Sequence, residues 1–135
     1  MATENLAGAI EQLRDAPEWS IPDHLKGLAA IHPEVIIDLL QSFVLDTANR
    51  LERLRTRFQE GDLDAVAREA HNIRGSSGQM GVRFVSELCR LAEEAAARRA
   101  IELVREAIDA LDRVFAEASR GIAQYVARTR CPERG

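Results

Sequence analysis

Two long stretches of this chain carry mainly apolar residues spaced three or four apart, the repeat that puts side chains on one face of an α-helix. The clearer stretch, in the C-terminal third, contains Val104, Ile108, Leu111, Phe115, Ala118, Ile122 and Tyr125. The other contains Ile36, Leu40, Phe43, Thr47, Leu51, Leu54 and Phe58. Stripes of this kind pack against one another in antiparallel bundles, so we predict an all-α fold built on an antiparallel four-helix bundle.

The composition agrees with a helical domain and excludes several classes of function. The chain has 135 residues, of which 46% are apolar and only 4% aromatic, a mixture that favours helices over a sheet. A net charge of -4 provides no basic field for nucleic acid. Cys89 and Cys131 have neither disulfide nor zinc spacing, and Cys89 is expected in the core. No segment resembles a signal peptide or a membrane span, so we expect a cytoplasmic protein that contacts no membrane.

The first long helix should begin at Pro33 and end before Gly61, because glycine commonly follows a helix C-terminus. Asp62 can cap the next helix, which should end between Gly78 and Met80, and Gly81 then makes the turn. The third helix has a buried stripe of Val82, Val85, Leu88, Cys89 and Ala92. A break near residues 98–100 separates it from the last helix.

One or two short helices are expected ahead of the bundle. The first has an apolar side of Leu6, Ile10 and Leu13 and should end before Pro17. Residues 16–21 are predicted to form a loop with Trp19 packed against the core. The second should start at Ser20, with Pro22 in its first turn and Asp23 three residues on, and run to about Ala30.

These elements predict three regions: short N-terminal helices over 1–31 that pack on the bundle, the bundle itself over 32–128, and a disordered tail over 129–135. The initiating methionine and the first helix favour a stand-alone protein. His24 and His32 are expected to be ordinary surface or cap residues, since the lysine after His24 falls on the wrong helical face.

His71 differs from the other two histidines because of the residues that share its helical face. Arg68 lies three positions before it, and Arg74, Gly75 and Gly78 lie three, four and seven positions after it. Each interior glycine costs a helix about 1 kcal/mol relative to alanine, so two glycines beside a histidine suggest close approach by another molecule. A neutral imidazole nitrogen can attack phosphorus, and the two arginines could neutralise an arriving phosphoryl group.

The run H-N-I-R-G-S-S-G-Q-M-G-V, followed by L-C-R, resembles the signature of histidine-containing phosphotransfer (HPt) domains. The matching residues are His71, Ile73, Gly75, Ser76, Ser77, Met80, Gly81, Val82, Leu88, Cys89 and Glu93. Arg74 stands where the family usually has lysine, and Ala92 where it usually has leucine. The order and length of the helices from about Pro33 to Val126 also fit the family.

The resemblance implies that His71 accepts a phosphoryl group from an aspartate of a receiver domain in a hybrid sensor kinase. It then passes the group to the aspartate of a response regulator. Arg74 and Arg68 would stabilise the group, while Gly75, Gly78 and Gln79 would contribute to partner docking. We expect a monomeric relay protein without kinase activity, metal site or cofactor of its own, the Mg²⁺ being on the receiver domain.

A second hypothesis stays open at this point. The substituted Arg74 and the absence of any catalytic apparatus are also compatible with a helical adaptor, which would bind or sequester a receiver domain without being phosphorylated.

Overall fold

The computed structural model describes residues 2–13 and 19–131, and within these ranges it contains α-helices and no strand. The helices are α1 (Ala2–Leu13), α2 (Asp23–Ile31), α3 (Pro33–Gln59), α4 (Leu63–Gln79), α5 (Arg83–Ala97) and α6 (Ile101–Arg130). Short connections make α3 to α6 an antiparallel four-helix bundle. The predicted all-α fold is therefore confirmed. α1 packs against α5 and α6, and α2 packs against α3.

The predicted stripes form the core of the bundle. Ile36, Leu40, Leu54, Val104 and Leu111 are fully buried, as are Val85, Leu88 and Cys89 of α5. Phe58, Phe115 and Tyr125 lie at the edge of this core and are half-buried. The helices thus face each other through the residues that the three-and-four spacing selects.

Two glycines make the turns that the sequence predicts. Gly61 has φ +77° after α3, and Gly81 has φ +76° between α4 and α5. Asp62 caps α4, its side chain accepting a hydrogen bond of 3.0 Å from the backbone N–H of Ala65. The connection between α5 and α6 falls at residues 98–100, as expected, and its left-handed residue is Arg99, with φ +60°.

The predicted start of α2 is wrong. Ser20 lies outside the helix, which begins only at Asp23. Pro22, directly before it, is extended, with φ -68° and ψ 149°, and makes no side-chain cap. A residue before proline is disfavoured in the helical region, which argues against Ile21 as the first helical residue. The helix ends at Ile31, close to the expected Ala30.

The predicted tail also begins too early, because α6 continues through Thr129 to Arg130. Arg128 and Arg130 lie in its last turn, where positive charge is favourable. The remainder of that tail, residues 132–135, lies outside the described residues. The division of the chain at residue 31 into an N-terminal region and a bundle stays a prediction.

Trp19 is buried, and it connects three parts of the molecule. Its Nε1 donates a 2.9 Å hydrogen bond to the carbonyl of Met80, at the turn between α4 and α5. Its ring meets Tyr125 of α6 edge-on at 5.7 Å. This confirms its predicted packing against the core, whereas residues 16–18 of the same predicted loop lie outside the described residues. Across the described ranges, none of the helices combines the length and apolar character needed to cross a bilayer.

Candidate functional site

His71 lies on the outer face of α4 and points toward α5. Its side chain is 59% exposed, and its Nδ1 is 3.2 Å from Oε1 of Glu93. The second carboxylate oxygen of Glu93 lies 3.5 Å from Nη1 of Arg74. One carboxylate on α5 therefore contacts both the imidazole and the guanidinium group on α4.

This geometry determines which ring nitrogen is available for chemistry. An ionised carboxylate accepts hydrogen bonds and donates none, so the nitrogen facing Glu93 carries the proton when the ring is neutral. The lone pair is then on Nε2, the nitrogen not engaged by Glu93. Because His71 is more than half exposed, that nitrogen is open to another molecule.

The two predicted phosphoryl-binding arginines are placed differently. Arg74 is half-buried against α5 through its ion pair with Glu93. Arg68 is exposed one turn before His71 and forms no ion pair with another described residue. Both lie within one helical turn of His71, so a phosphoryl group on this face would meet two cationic side chains.

Gly75 and Gly78 leave the face of α4 that follows His71 without side chains. A Cβ added at Gly75 would meet nothing within 4 Å, and one at Gly78 would only touch Oγ of Ser86 at 3.7 Å. Neither glycine is required by the packing within the chain, which agrees with space left for a partner. Gln79 is exposed and is the last residue of α4, about 12 Å along the helix axis from His71. The structure therefore does not bring Gln79 to the histidine.

Glu93 is the site residue that sequence reasoning missed as a functional group. From the sequence, Glu93 was named only as a residue that matches the family signature, because it lies on a different helix, 22 residues after His71. A signal was present: the two residues are nearly equidistant from the turn at Gly81, and antiparallel helices bring such positions level.

The serines and the cysteine near the site have structural environments. Ser76 donates a hydrogen bond back to the carbonyl of Ile73, 3.3 Å away, as expected for a serine inside a helix. Ser86 of α5 donates to the carbonyl of Arg74 at 3.0 Å. Cys89 is fully buried, and burial, helped by the charge of Glu93, raises the pKa of its thiol far above the ordinary value.

The other two histidines are exposed and lie on or next to α2, as the sequence indicated. His24 is in the first turn of that helix. His32 connects α2 to α3, and its backbone N–H donates to the carbonyl of Leu28. Within residues 2–13 and 19–131, no three histidine, cysteine, aspartate or glutamate side chains are grouped to hold a metal ion.

Comparison with known proteins places this geometry in a family. Residues 38–121 match the model of the Hpt domain, a range that includes both His71 and Glu93. Among solved structures, the chain is similar to the crystal structure of histidine-containing phosphotransfer protein B (HptB) from Pseudomonas aeruginosa PAO1. The two are 30% identical with a TM-score of 0.74, over 84% of this chain and 98% of that one. No curated protein sequence gives a match.

The matched range spans more than half of the chain, so this protein belongs to the Hpt domain family. Proteins of this family carry phosphoryl groups, are not kinases, and interact with receiver domains of two-component systems. The family resemblance of the sequence is thereby confirmed.

Proposed function

We propose that this protein is a cytoplasmic intermediate of a phosphorelay. His71 accepts a phosphoryl group from the receiver aspartate of a hybrid sensor kinase and passes it to the aspartate of a response regulator. The observation that carries this proposal is the exposed imidazole whose Nδ1 faces Glu93, because it leaves Nε2 as a nucleophile on the surface.

The transfer step follows from that arrangement. The Nε2 lone pair attacks the phosphorus of the aspartyl phosphate, an N–P bond forms, and the P–O bond breaks with its electron pair staying on the aspartate. The ring keeps its proton on Nδ1 and becomes a cation. The carboxylate of Glu93, 3.2 Å from Nδ1, stabilises that cation, and the reverse step delivers the group to the next aspartate.

Arg74 and Arg68 supply positive charge on the same face. Arg74 is held by Glu93 before transfer, and its flexible side chain can reach a phosphoryl group one turn away. Phosphoryl transfer depends mainly on positioning and charge neutralisation, so this chain needs no cofactor. We assign the Mg²⁺ to the receiver domain, whose aspartate carries the phosphoryl group.

The receiver domain needs a surface on which to dock, and we assign it to the His71 face together with an apolar patch. The patch consists of Leu28, Ile31, Val35 and Leu39, four large apolar residues that are all exposed. Leu28 and Ile31 lie three apart on α2, and Val35 and Leu39 lie four apart on α3. α2 packs against α3 and has no buried residue of its own.

The patch lies at the same end of the bundle as the end of α4. Pro22, directly before α2, packs at Gly81, where a Cβ would be only 3.1 Å from its ring. α2 then crosses to α3. Docking would use this patch and the part of α4 without side chains at Gly75 and Gly78. It fits a small, transient interface of less than about 1,200 Å², through which one monomer meets donor and acceptor in turn.

The proposal is tested by incubating the purified protein with a panel of receiver domains phosphorylated with labelled phosphate. We expect label to move to the parent protein and to the His24→Gln and His32→Gln variants, and not to His71→Gln. Label on His71→Gln would refute the assignment of the acceptor. A parent protein that binds receivers without becoming labelled would instead identify the binding-only adaptor.

A further inference from the structure

Ser86 makes a hydrogen bond that differs from those of Ser76 and Thr56. Ser76 and Thr56 donate to carbonyls of their own helices, those of Ile73 and Glu52. Ser86 in the first turn of α5 instead donates across the helix interface to the carbonyl of Arg74 on α4, with an Oγ–O distance of 3.0 Å. It therefore joins two helices where a serine can otherwise satisfy itself locally.

The two ends of this bond lie next to the candidate site. Arg74 is one turn after His71 on α4, and Ser86 is seven residues, or two turns, before Glu93 on α5. Residues seven apart share a helical face, so Ser86 and Glu93 approach α4 from the same side. A Cβ added at Gly78 would lie 3.7 Å from the Ser86 hydroxyl, so this hydroxyl lies against α4 one turn after Arg74.

The contacts of Glu93 are sensitive to the position of α5. Its Oε1 is 3.2 Å from Nδ1 of His71, at the outer limit for an N–H···O hydrogen bond. Its Oε2 is buried without a hydrogen bond and forms only an ion pair with Nη1 of Arg74, at 3.5 Å. A small rotation or slide of α5 away from α4 would lengthen the contact with His71 beyond that limit. The hydrogen bond of the Ser86 hydroxyl restrains such movement, because its acceptor is a backbone carbonyl of α4 and not a flexible side chain.

We propose that Ser86 is a positioning residue: its bond to the carbonyl of Arg74 holds α5 in the register that keeps Glu93 on Nδ1 of His71. The effect on phosphoryl transfer rests on the function proposed above. The effect on the imidazole tautomer does not, so the two can be tested separately.

The experiment measures the tautomer of His71 by long-range ¹⁵N–¹H NMR at pH 8 in the full-length protein. The parent should show the proton on Nδ1. In Ser86→Ala the ratio of Nδ1–H to Nε2–H should fall by about threefold to tenfold, the factor that one net hydrogen bond supplies. Ser86→Thr retains a hydroxyl and should restore the ratio.

Ser76→Ala is the matched control, because it removes a serine hydrogen bond from the same hairpin without touching the contact between helices. It should leave the tautomer ratio unchanged. A parent ratio in Ser86→Ala, equal falls in both alanine variants, or a parent without Nδ1–H would each overturn the proposal. A changed ratio in Ser86→Ala together with a parent that never accepts phosphate would support the positioning role and refute the phosphorelay function.

Discussion

Oε1 of Glu93 lies 3.2 Å from Nδ1 of His71, although the two residues are 22 positions apart in the sequence and the turn at Gly81 lies between them. The carboxylate and the imidazole belong to antiparallel helices, α5 and α4. Their contact turns an exposed histidine into one with a defined tautomer, and it distinguishes His71 from the histidines on and beside α2.

Substitution of Glu93 should slow phosphorylation of His71 without abolishing it. Glu93→Gln retains an acceptor for Nδ1–H but loses the negative charge that stabilises the cationic ring, and we expect about a tenfold fall in the rate of phosphorylation by phosphoramidate. Glu93→Ala should be slower still. Glu94→Gln, one residue on, is the control, because Glu94 pairs with Arg90 of the same helix and with Arg98 directly after it. Equal rates for Glu93→Ala and the parent would contradict the role of this carboxylate.

Arg74 should matter more than Arg68, since only Arg74 is already held beside His71 through Glu93. Arg74→Ala should lower the phosphorylation rate about tenfold, the equivalent of about 1.4 kcal/mol. Arg74→Lys keeps the charge and should stay within about threefold of the parent. Arg68→Ala should have the smaller effect of the two alanine variants. The rates come from intact-mass time courses, and a larger loss for Arg68→Ala would reverse our ranking.

The apolar patch should contribute to binding and not to chemistry. Ile31, 73% exposed, is its most accessible member, and Ile31→Glu should weaken binding of a cognate receiver domain about tenfold or more in titration calorimetry. The rate at which the Ile31→Glu variant reacts with phosphoramidate should equal that of the parent. Leu45→Glu is the matched control, because Leu45 is 67% exposed but lies outside the patch, in a groove between α3 and α6. If Leu45→Glu weakened binding and Ile31→Glu did not, the docking surface would be that groove and not the apolar patch.

The two cysteines should react very differently with thiol reagents. Cys131 is exposed, whereas Cys89 is fully buried and burial raises the pKa of its thiol. Because the thiolate is the reactive species, native protein at pH 8 should titrate with one equivalent of Ellman's reagent, and protein in urea with two. Cys131→Ser should leave no reactive thiol in the native state. Rapid reaction of Cys89 in that variant would show that the helix packing around it opens easily.

The sequence predicted those features that depend on local chemistry. The three-and-four spacing identified the buried faces of α3 and α6, and Gly61, Asp62 and Gly81 marked the ends and the turn because each residue suits its backbone position. The start of α2 was misplaced because proline restricts the residue before it, an effect stronger than the capping signal of Ser20.

Contacts between helices were not predicted. The hydrogen bond from Ser86 to Arg74 and the position of Glu93 beside His71 depend on how far α5 is rotated and shifted against α4. Helical periodicity specifies which face is buried but leaves that rotation uncertain by a large part of a turn. The nucleophile could therefore be selected from one helix. For its carboxylate partner the sequence offered only the similar distance of both residues from the turn at Gly81, and the contact itself is seen in the packed hairpin.

A small phosphodonor shows whether His71 accepts a phosphoryl group without any partner protein. The parent protein and the His71→Gln, His24→Gln and His32→Gln variants are incubated with phosphoramidate and analysed by intact mass, with folding checked by circular dichroism. We predict one acid-labile, base-stable phosphoryl adduct on the parent and on the His24 and His32 variants, and none on His71→Gln. An adduct that persists in folded His71→Gln would contradict the central claim.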